Sequence, residues 1–229
     1  MKKFVAIGLG NFGLSVAKTL EDNGCEVLGI DTSKNTVNYA KEFLTHVLIG
    51  DASNREVLES LSLRDFDGAI VSIGQDMASS ILISLYLKEI GVKSIIVRAV
   101  SEDHGKILTM IGVNEVVFPE HDMGVRMGNR LASKNVMDYL PLGEDYGIIE
   151  LTPPPGFLGK NLKELEIRPR YNCQVIGIKY LPEKNGKPGS KTERERIIIA
   201  PSADELITEK SIMILIGKMR DLDRLQNQS

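Results

Sequence analysis

The chain has 229 residues, 42% of them hydrophobic, with 28 lysines and arginines against 31 aspartates and glutamates. This length allows one large domain or two smaller ones, and a net charge of −3 gives no general reason to expect nucleic-acid binding. No apolar run is long enough to span a bilayer and the N-terminus enters a strand without a signal peptide, so we expect a cytoplasmic protein.

The first predicted elements are a strand, a glycine-rich turn, a helix and a second strand. Apolar residues 4–7 lead into Gly8-Leu9-Gly10-Asn11-Phe12-Gly13, and the second strand ends in Asp31, 18 residues after Gly13. Gly8 permits the tight turn, Gly10 lets a pyrophosphate approach the backbone, and Gly13 allows close packing of helix on strand. A carboxylate about 20 residues further on accepts from a ribose hydroxyl. The pattern predicts a dinucleotide-binding unit.

The carboxylate of Asp31 also indicates which nucleotide binds. A 2′-phosphate would be repelled by it, and no arginine follows, because the next residues are Thr32, Ser33 and Lys34. We therefore expect NAD(H), or an adenine nucleotide such as ADP or ATP, rather than NADP.

The strand–helix alternation continues to residue 118 and is typical of a parallel sheet. The predicted helices cover residues 34–43, 55–61, 77–90 and 103–111, and the predicted strands cover residues 46–49, 69–73, 94–100 and 115–118. With the first two strands this makes six, the number in a complete Rossmann-type, doubly wound α/β domain. We expect that domain at residues 1–121.

Residues 122–145 are predicted to connect two domains. A helix over residues 122–140 would place Met123, Met127 and Leu131 on one face, although Gly124 and Gly128 weaken it. This helix either packs on its own domain or crosses to a partner subunit.

A small α+β domain is predicted for residues 146–229. Its strands cover residues 147–151, 174–179, 196–199 and 212–217, and its helices residues 161–165 and 221–225. Prolines at positions 153–155 predict irregular structure there, and residues 182–195 are predicted to be a solvated loop.

Residues able to carry out catalysis are scarce. The three histidines, His46, His104 and His121, all precede the second domain, so that domain offers no convincing acid or base for a dehydrogenase. Cys25 and Cys173 lack metal-binding spacing, and no motif for phosphoryl transfer occurs. We expect a protein that is not an enzyme and that senses its nucleotide.

Several short motifs in combination are similar to one family. The glycine turn, Asp31, the Gly50-Asp51-Ala52 turn, Val97-Arg98-Ala99, and residues 118–124 (Phe-Pro-Glu-His-Asp-Met-Gly) carry the resemblance, which extends over the C-terminal domain. The chain resembles the regulator-of-potassium-conductance family, whose members include gating subunits of bacterial Trk/Ktr-type potassium uptake systems. The resemblance implies homodimers that assemble into a tetrameric or octameric ring beneath an integral-membrane potassium transporter.

The resemblance also implies roles for particular residues. Gly8, Gly10, Asn11, Phe12 and Gly13 would form the phosphate loop, Asp31 would hold the ribose, and Asp51 and Ala52 would lie by the adenine. Ser72 and Arg98 are second-tier candidates, and Arg98 is equally interpreted as a strand-end ion-pair residue.

One position departs from the family pattern. ATP-responsive relatives commonly have arginine after the second glycine of the turn, where this chain has Asn11, a neutral amide. The preference among ATP, ADP and NAD therefore stays open.

Two further positions match ligand-binding positions of relatives. Glu120 matches a residue that helps to hold a divalent cation at a subunit interface, or it caps the connecting helix. Arg168 matches an arginine that binds cyclic-di-AMP in some relatives, or it is an exposed surface arginine.

Three hypotheses follow for the function. The leading one is a regulatory subunit that gates a potassium transporter or channel at the inner face of the membrane. The second is a small NAD-dependent oxidoreductase, and the third is a free-standing nucleotide or redox sensor. The helix predicted over residues 77–90 is apolar on more than one face, which favours an oligomer in which this helix, with Leu85 and Leu87, lies at contacts between subunits.

Overall fold

The computed structural model describes residues 1–74, 76–132, 135–143, 145–181 and 196–226. The chain divides into two compact units, Met1–His121 and Asp122–Ser229. No helix among the described residues is both long and apolar enough to cross a bilayer.

The first unit is a six-stranded parallel sheet with the order β3-β2-β1-β4-β5-β6. Its strands are β1 Lys3–Ile7, β2 Glu26–Asp31, β3 His46–Ile49, β4 Gly68–Val71, β5 Ile95–Arg98 and β6 Glu115–Val117. Its helices are α1 Asn11–Asp22, α2 Lys34–Ala40, α3 Arg55–Glu59, α4 Met77–Ile90 and α5 Glu102–Ile111. The strand order reverses at β1, which makes a crevice beyond the carboxyl ends of β1 and β4.

Both faces of this sheet are covered by apolar side chains. Val5 and Ile7 of β1 belong to one cluster, together with Ile83 of α4, whereas Ala6 belongs to a second cluster with Ala17 of α1. All four residues of β4 are buried, as expected for a central parallel strand with helices on both sides.

The helices begin where the sequence supplies capping side chains. Side-chain oxygens of Ser33, Asn54, Asp76 and Ser101 accept backbone N–H groups at the starts of α2, α3, α4 and α5. The helix α4 ends at Gly91, whose φ of 88° is a conformation that glycine adopts easily.

The second unit contains a five-stranded antiparallel sheet with the order β10-β9-β11-β8-β7. Its strands are β7 Val136–Pro141, β8 Tyr146–Leu151, β9 Gln174–Tyr180, β10 Arg196–Ile199 and β11 Ser211–Lys218. The helix α6, Pro119–Ala132, leads into this unit, and α7 Leu162–Leu165, α8 Ile167–Tyr171 and α9 Met219–Gln226 follow. Leu151, Ile178, Met213 and Leu215 of the sheet pack against Leu222 and Leu225 of α9. The predicted Rossmann-type unit followed by a small α+β unit is confirmed.

The predicted connecting helix is wrong in its second half. The helix α6 ends at Ala132, and Val136–Pro141 form the strand β7 against β8. Val136 and Tyr139 have high strand propensity and pack against the core of the second unit, an interaction that outweighs their helical spacing.

Short elements were also missed. Pro155–Phe157 form a single 3₁₀ turn although irregular structure was expected at the prolines, because proline fits the first position of a helical turn. The five-residue α8 was not predicted, since it follows Glu166 in a left-handed conformation that no glycine or proline marks. The predicted loop at residues 182–195 lies outside the described residues.

Candidate functional site

A cavity of about 240 Å³ lies at the carboxyl ends of β1 and β2, beside the start of α4. This is the position at which doubly wound sheets bind nucleotides, because the strand order reverses there. Twelve residues line it: Ile7, Gly8, Ile30, Asp31, Thr32, Gly50, Asp51, Ala52, Ile73, Asp76, Ser79 and Ile83. The lining includes the predicted residues Gly8, Asp31, Asp51 and Ala52.

The three glycines of the turn have different structural surroundings. Gly8 has a φ of 87°, and a Cβ there would lie 2.5 Å from the carbonyl oxygen of Ser72. A Cβ on Gly13 would collide with the carbonyl oxygen of Gly8, so both glycines are required for the fold. A Cβ on Gly10 would meet no protein atom within 4 Å. The space beside Gly10 is therefore open to a ligand.

Asp31 ties the end of β2 to the glycine turn. One carboxylate oxygen accepts the backbone N–H of Leu9 at 2.8 Å, and the other accepts the backbone N–H of Ser33 at 2.8 Å. Each oxygen can accept a second hydrogen bond, so the carboxylate is oriented and still able to bind a ribose hydroxyl.

Two more carboxylates line the same cavity. Oδ1 of Asp51 accepts the backbone N–H and the hydroxyl of Ser53 at 2.9 and 2.6 Å. Asp76 caps α4 by accepting the backbone N–H of Ser79 at 3.0 Å and its hydroxyl at 2.6 Å, and these hydrogen bonds hold the pKa of Asp76 below its usual value. Sequence reasoning did not place Asp76 at the site, although an aspartate at the start of the predicted helix 77–90 was visible.

The negative charge of the cavity indicates which part of a nucleotide can lie in it. Asp31, Asp51 and Asp76 line it, and none of the other described lining residues is a lysine or arginine. A 2′-phosphate would be repelled here, whereas a pyrophosphate would have open space beside Gly10 and the backbone N–H groups at the start of α1. The arrangement favours a nucleotide whose phosphates all lie beside the glycine turn and whose ribose carries no 2′-phosphate.

Other predicted site residues lie outside the lining of the cavity. Asn11 is exposed and Phe12 half-buried at the start of α1. The hydroxyl of Ser72 is buried without a hydrogen-bond partner among the described residues, and its Cβ lies 3.1 Å from the position of a Cβ on Gly13. Ser72 therefore packs behind the glycine turn.

Arg98 and Glu120 form an ion pair. The guanidinium of Arg98 donates to the two oxygens of Glu120 at 3.2 and 2.5 Å, and this lowers the pKa of Glu120. Arg98 is also next to the loop after β4, since its Nη1 lies 3.6 Å from the position of a Cβ on Gly74. In the part of the chain that the structure describes, no group of three or more His, Cys, Asp or Glu residues is arranged to hold a metal ion.

Arg168 lies in the second unit, beside a cavity of about 370 Å³. Its lining combines apolar, charged and proline side chains, including Leu162, Lys163, Glu166, Gln174 and Pro201. The guanidinium is exposed, on the short helix α8, whose Ile167 and Tyr171 face the core.

Comparison with known proteins identifies close relatives over the whole chain. The model of the TrkA-N domain matches residues 4–119, and that of the TrkA-C domain matches residues 147–229. The chain is 37% identical, over 99% of its length, to Ktr system potassium uptake protein C of Bacillus subtilis (strain 168), of which 97% is covered. It is 33% identical, over 99% of its length, to Ktr system potassium uptake protein A of Vibrio alginolyticus, of which 96% is covered.

Solved structures share the fold at lower identity. The GsuK channel superposes with a TM-score of 0.69 at 19% identity, covering 100% of this chain and 40% of the channel chain. The structure described as the GsuK channel bound to NAD gives a TM-score of 0.65 at 19% identity, with the same coverage.

The family matches cover both units, and the relatives align along nearly their entire length. The resemblance predicted from the sequence motifs is therefore confirmed. The chain belongs to the TrkA family of potassium-uptake proteins, with a TrkA-N domain followed by a TrkA-C domain.

Proposed function

We propose that this chain is a non-enzymatic regulatory subunit that binds an adenine nucleotide and thereby gates a membrane potassium transporter or channel. The ligand would be ADP, ATP or NAD(H), with its ribose on Asp31, its adenine by Asp51 and Ala52, and its phosphates beside Gly10. Relatives named as Ktr potassium uptake proteins and a channel structure described as bound to NAD support this assignment. The subunit would act in the cytoplasm, at the inner face of the membrane, through its partner.

One observation carries the regulatory part of the proposal. Ser79 and Ile83 of α4 line the nucleotide cavity, while Leu82 and Leu85 of the same helix are 40% and 37% exposed. A movement of α4 on ligand binding would therefore reposition an apolar outer surface. Gating requires such a link, because a ligand shifts a conformational equilibrium only if it binds the two states differently.

The exposed apolar surface supports assembly of identical subunits. Next to α4, the helix α5 exposes Ile107 and Met110, the latter by 85%. On α6 no residue is buried, and Met123 and Leu131 are 54% and 74% exposed. Covering these side chains by a second copy would remove apolar area from water, which favours a homodimer. That homodimers assemble into a ring of four or eight subunits is what the family resemblance implies.

The lining of the nucleotide cavity argues against the oxidoreductase hypothesis. Among the described residues of the lining there is no histidine, lysine or tyrosine, the side chains that usually exchange a proton beside a nicotinamide, and no cysteine. His104, a histidine of the same unit, is fully buried, and its Nδ1 accepts the backbone N–H of Val100.

The test has three measurements on the purified full-length chain. Mass spectrometry identifies the nucleotide retained through purification, and calorimetry measures the affinities of ADP, ATP and NADH. Potassium flux is then measured in vesicles that contain the co-purified membrane partner. The proposal expects submillimolar binding, no nucleotide turnover and a flux that depends on the nucleotide. Oxidation of NADH with a substrate would establish the enzyme instead, and binding without a membrane partner would establish a free-standing sensor.

Two additional ligands belong to the same proposal. The cavity beside Arg168 has the mixed apolar and charged lining that a cyclic dinucleotide such as cyclic-di-AMP requires. A divalent cation at Glu120 would have to displace Arg98 from its ion pair, so the cation would bind only in an assembly that offers Glu120 further ligands. Calorimetry with cyclic-di-AMP on Arg168→Gln, and with Mg²⁺ on Glu120→Gln, tests each.

A further inference from the structure

Asp76 lines the nucleotide cavity but has no role in the function proposed above. Of the three carboxylates in the lining, Asp31 ends β2, Asp51 follows β3, and Asp76 is the N-terminal cap of α4. Asp31 is expected to hold the ribose, and Asp51 to lie by the adenine. Asp76 is therefore an additional charged acceptor whose contact with a ligand is unassigned.

The carboxylate of Asp76 is fixed in place and ionised. Its Oδ2 accepts the hydroxyl of Ser79 at 2.6 Å, and its Oδ1 accepts the backbone N–H of Ser79 at 3.0 Å. These hydrogen bonds, the hydroxyl first, lower the pKa of Asp76, so the carboxylate carries no proton at neutral pH. Each of its oxygens can accept a second hydrogen bond, and the residue is exposed. Asp76 can therefore accept a hydrogen bond from a ligand but cannot donate one.

The side chains around Asp76 suit a flat ring that donates hydrogen bonds. Ile73 precedes Asp76, and Ile83 lies four residues after Ser79 on the same face of α4, so both offer apolar surface to the cavity. The hydroxyls of Thr32 and Ser79 are the side-chain donors among the described lining residues, and that of Ser79 is already donated to Asp76. The other polar side chains of the described lining are carboxylates, which only accept.

Purine bases differ in the group that they carry at ring position 6. Adenine has an amino group with two N–H donors there, whereas hypoxanthine, the base of inosine nucleotides, has a carbonyl oxygen. An amino group can donate to a carboxylate, whereas a carbonyl oxygen facing a carboxylate is repelled and leaves both acceptors without a partner. Because the amino group has two N–H bonds, it can donate one to Asp51 and the other to Asp76.

We propose that Asp76 determines which base the cavity accepts. Its carboxylate accepts from the exocyclic amino group of adenine and excludes nucleotides whose base has a carbonyl oxygen at that position. This inference rests on the nucleotide binding proposed above and adds the residue that sets base specificity. Because Asp76 also caps α4, the base contacts the start of the helix that exposes Leu82 and Leu85.

The test compares ADP with inosine diphosphate (IDP) by calorimetry on the full-length chain. The parent chain should bind ADP at least about tenfold more tightly than IDP, the effect of one hydrogen bond to a charged group. Asp76→Asn should reduce that ratio about fivefold or more, because asparagine caps a helix as well as aspartate does and its amide can donate to a carbonyl oxygen. A purely structural role of Asp76 would change both affinities equally and leave the ratio unchanged.

Asp76→Ser is the second variant, since serine keeps a capping oxygen without the charge, and it should narrow the ratio through weaker ADP binding. The control is Asp103→Asn, at an exposed aspartate in the first turn of α5 that is outside the lining, and both affinities should stay unchanged. Circular dichroism should show the variants folded.

Two results would overturn the inference while leaving nucleotide binding intact. One is an unchanged ratio of the two dissociation constants in the folded variants of Asp76. The other is equal affinity of the parent chain for ADP and IDP. If the parent chain binds neither nucleotide, the proposed function itself is wrong, and base selection by Asp76 is wrong with it.

Discussion

Asp31 has a structural role in addition to its expected contact with ribose. Both of its oxygens accept backbone N–H groups, one of them from the glycine turn, so the carboxylate holds this turn against the end of β2. A substitution here therefore affects loop order and ligand contact together, and the conservative variant is more informative than truncation to alanine.

We predict that Asp31→Asn weakens the binding of ADP, ATP and NADH by about 1.5–3 kcal/mol, the usual value of a hydrogen bond to a charged group. Calorimetry measures this loss. Asp22→Asn, at the exposed far end of α1, is the matched control and should bind normally. Equal affinity of Asp31→Asn and the parent chain would contradict the placement of ribose at Asp31.

Gly10 is the position at which binding and folding can be separated. Its φ of −66° and ψ of −173° suit any residue, and no protein atom would touch an added Cβ. We predict that Gly10→Val keeps the fold, as measured by circular dichroism, and weakens nucleotide binding at least about tenfold, or about 1.4 kcal/mol, because its methyl groups occupy the space of the phosphates. Normal binding by the folded variant would show that phosphates do not pass this turn.

Asn11 is exposed at the first position of α1, directly after Gly10, where the proposed function places the phosphates. We predict that Asn11→Arg raises the affinity for ATP relative to ADP several-fold, because a guanidinium adds a charge that the third phosphate can use. The measurement is the ratio of the two dissociation constants, with Asn11→Gln as the uncharged control. An unchanged ratio would mean that position 11 does not reach the terminal phosphate.

His104 makes stability dependent on pH. Burial lowers its pKa below 6.5, and its Nε2 is buried without a partner, so the folded protein keeps the ring neutral. The unfolded chain binds the proton first as the pH falls through 6.5, so stability present at neutral pH is lost below that value. We predict a loss of up to about 1.4 kcal/mol per pH unit.

Urea unfolding of the first unit at pH 7.5 and 5.5 measures this loss. His104→Gln should reduce the difference between the two pH values, while His46→Gln, at an exposed position, should leave it unchanged. A difference that survives in His104→Gln would assign the pH dependence to other groups.

Among the elements, α4 has the most constrained sequence, because its residues lie in three different environments. Ile83 and Leu87 are buried in the core of the first unit, Ser79 lines the nucleotide cavity, and Leu82 and Leu85 face outward. The sequence-based expectation that Leu87 lies on an outer, subunit-facing surface is wrong, since its side chain is fully buried.

We predict that Leu82→Asp with Leu85→Asp lowers the oligomeric state and uncouples nucleotide binding from potassium flux, because charged side chains in an apolar contact lose their hydration. Light scattering at micromolar concentration measures the assembly. The control is Leu206→Asp, at a leucine that is 50% exposed in the second unit and should not change the mass. A monomeric parent chain would contradict the assembly and the gating that depends on it.

The sequence predicts the elements of the first unit well because local signals and the global fold agree there. Apolar strands, capping residues such as Ser33 and Ser101, and the glycine turn mark nearly every boundary. At the site, the same signals locate Asp31 by its position at the end of a strand, and the family resemblance indicates Asp51. They do not show that Asp76 joins them, because only the folded sheet, in which β1 lies between β2 and β4, brings the start of α4 to the cavity at the end of β2.

The elements of the second unit are harder to predict from the sequence, because they depend on contacts between residues that are distant in sequence. Val136–Pro141 has helical spacing, and pairing with β8 makes it a strand. The ion pair between Arg126 on α6 and Asp138 on β7 further ties the two elements together, with N–O distances of 2.9 and 2.5 Å. Neither interaction has a local sequence signal.

At the scale of the whole molecule, each unit has its own sheet and its own apolar core. Such units can respond to ligands separately, and α6 joins them as a helix without a buried residue. If a nucleotide binds the first unit and cyclic-di-AMP the second, as proposed above, two ligands act on one transporter, and the effect of each on the affinity for the other is equal by thermodynamic necessity.

The order of the strands along the chain also has a consequence for folding during synthesis on the ribosome. The central strand β1 is synthesised before the other five strands of its sheet. All six strands are complete by Val117, before any strand of the second sheet has been synthesised. Domains generally fold as units during synthesis, starting from the N-terminus. The glycine turn and Asp31 would then already be in place on the nascent chain, so a cellular nucleotide can bind and stabilise the first unit while the second is still being translated.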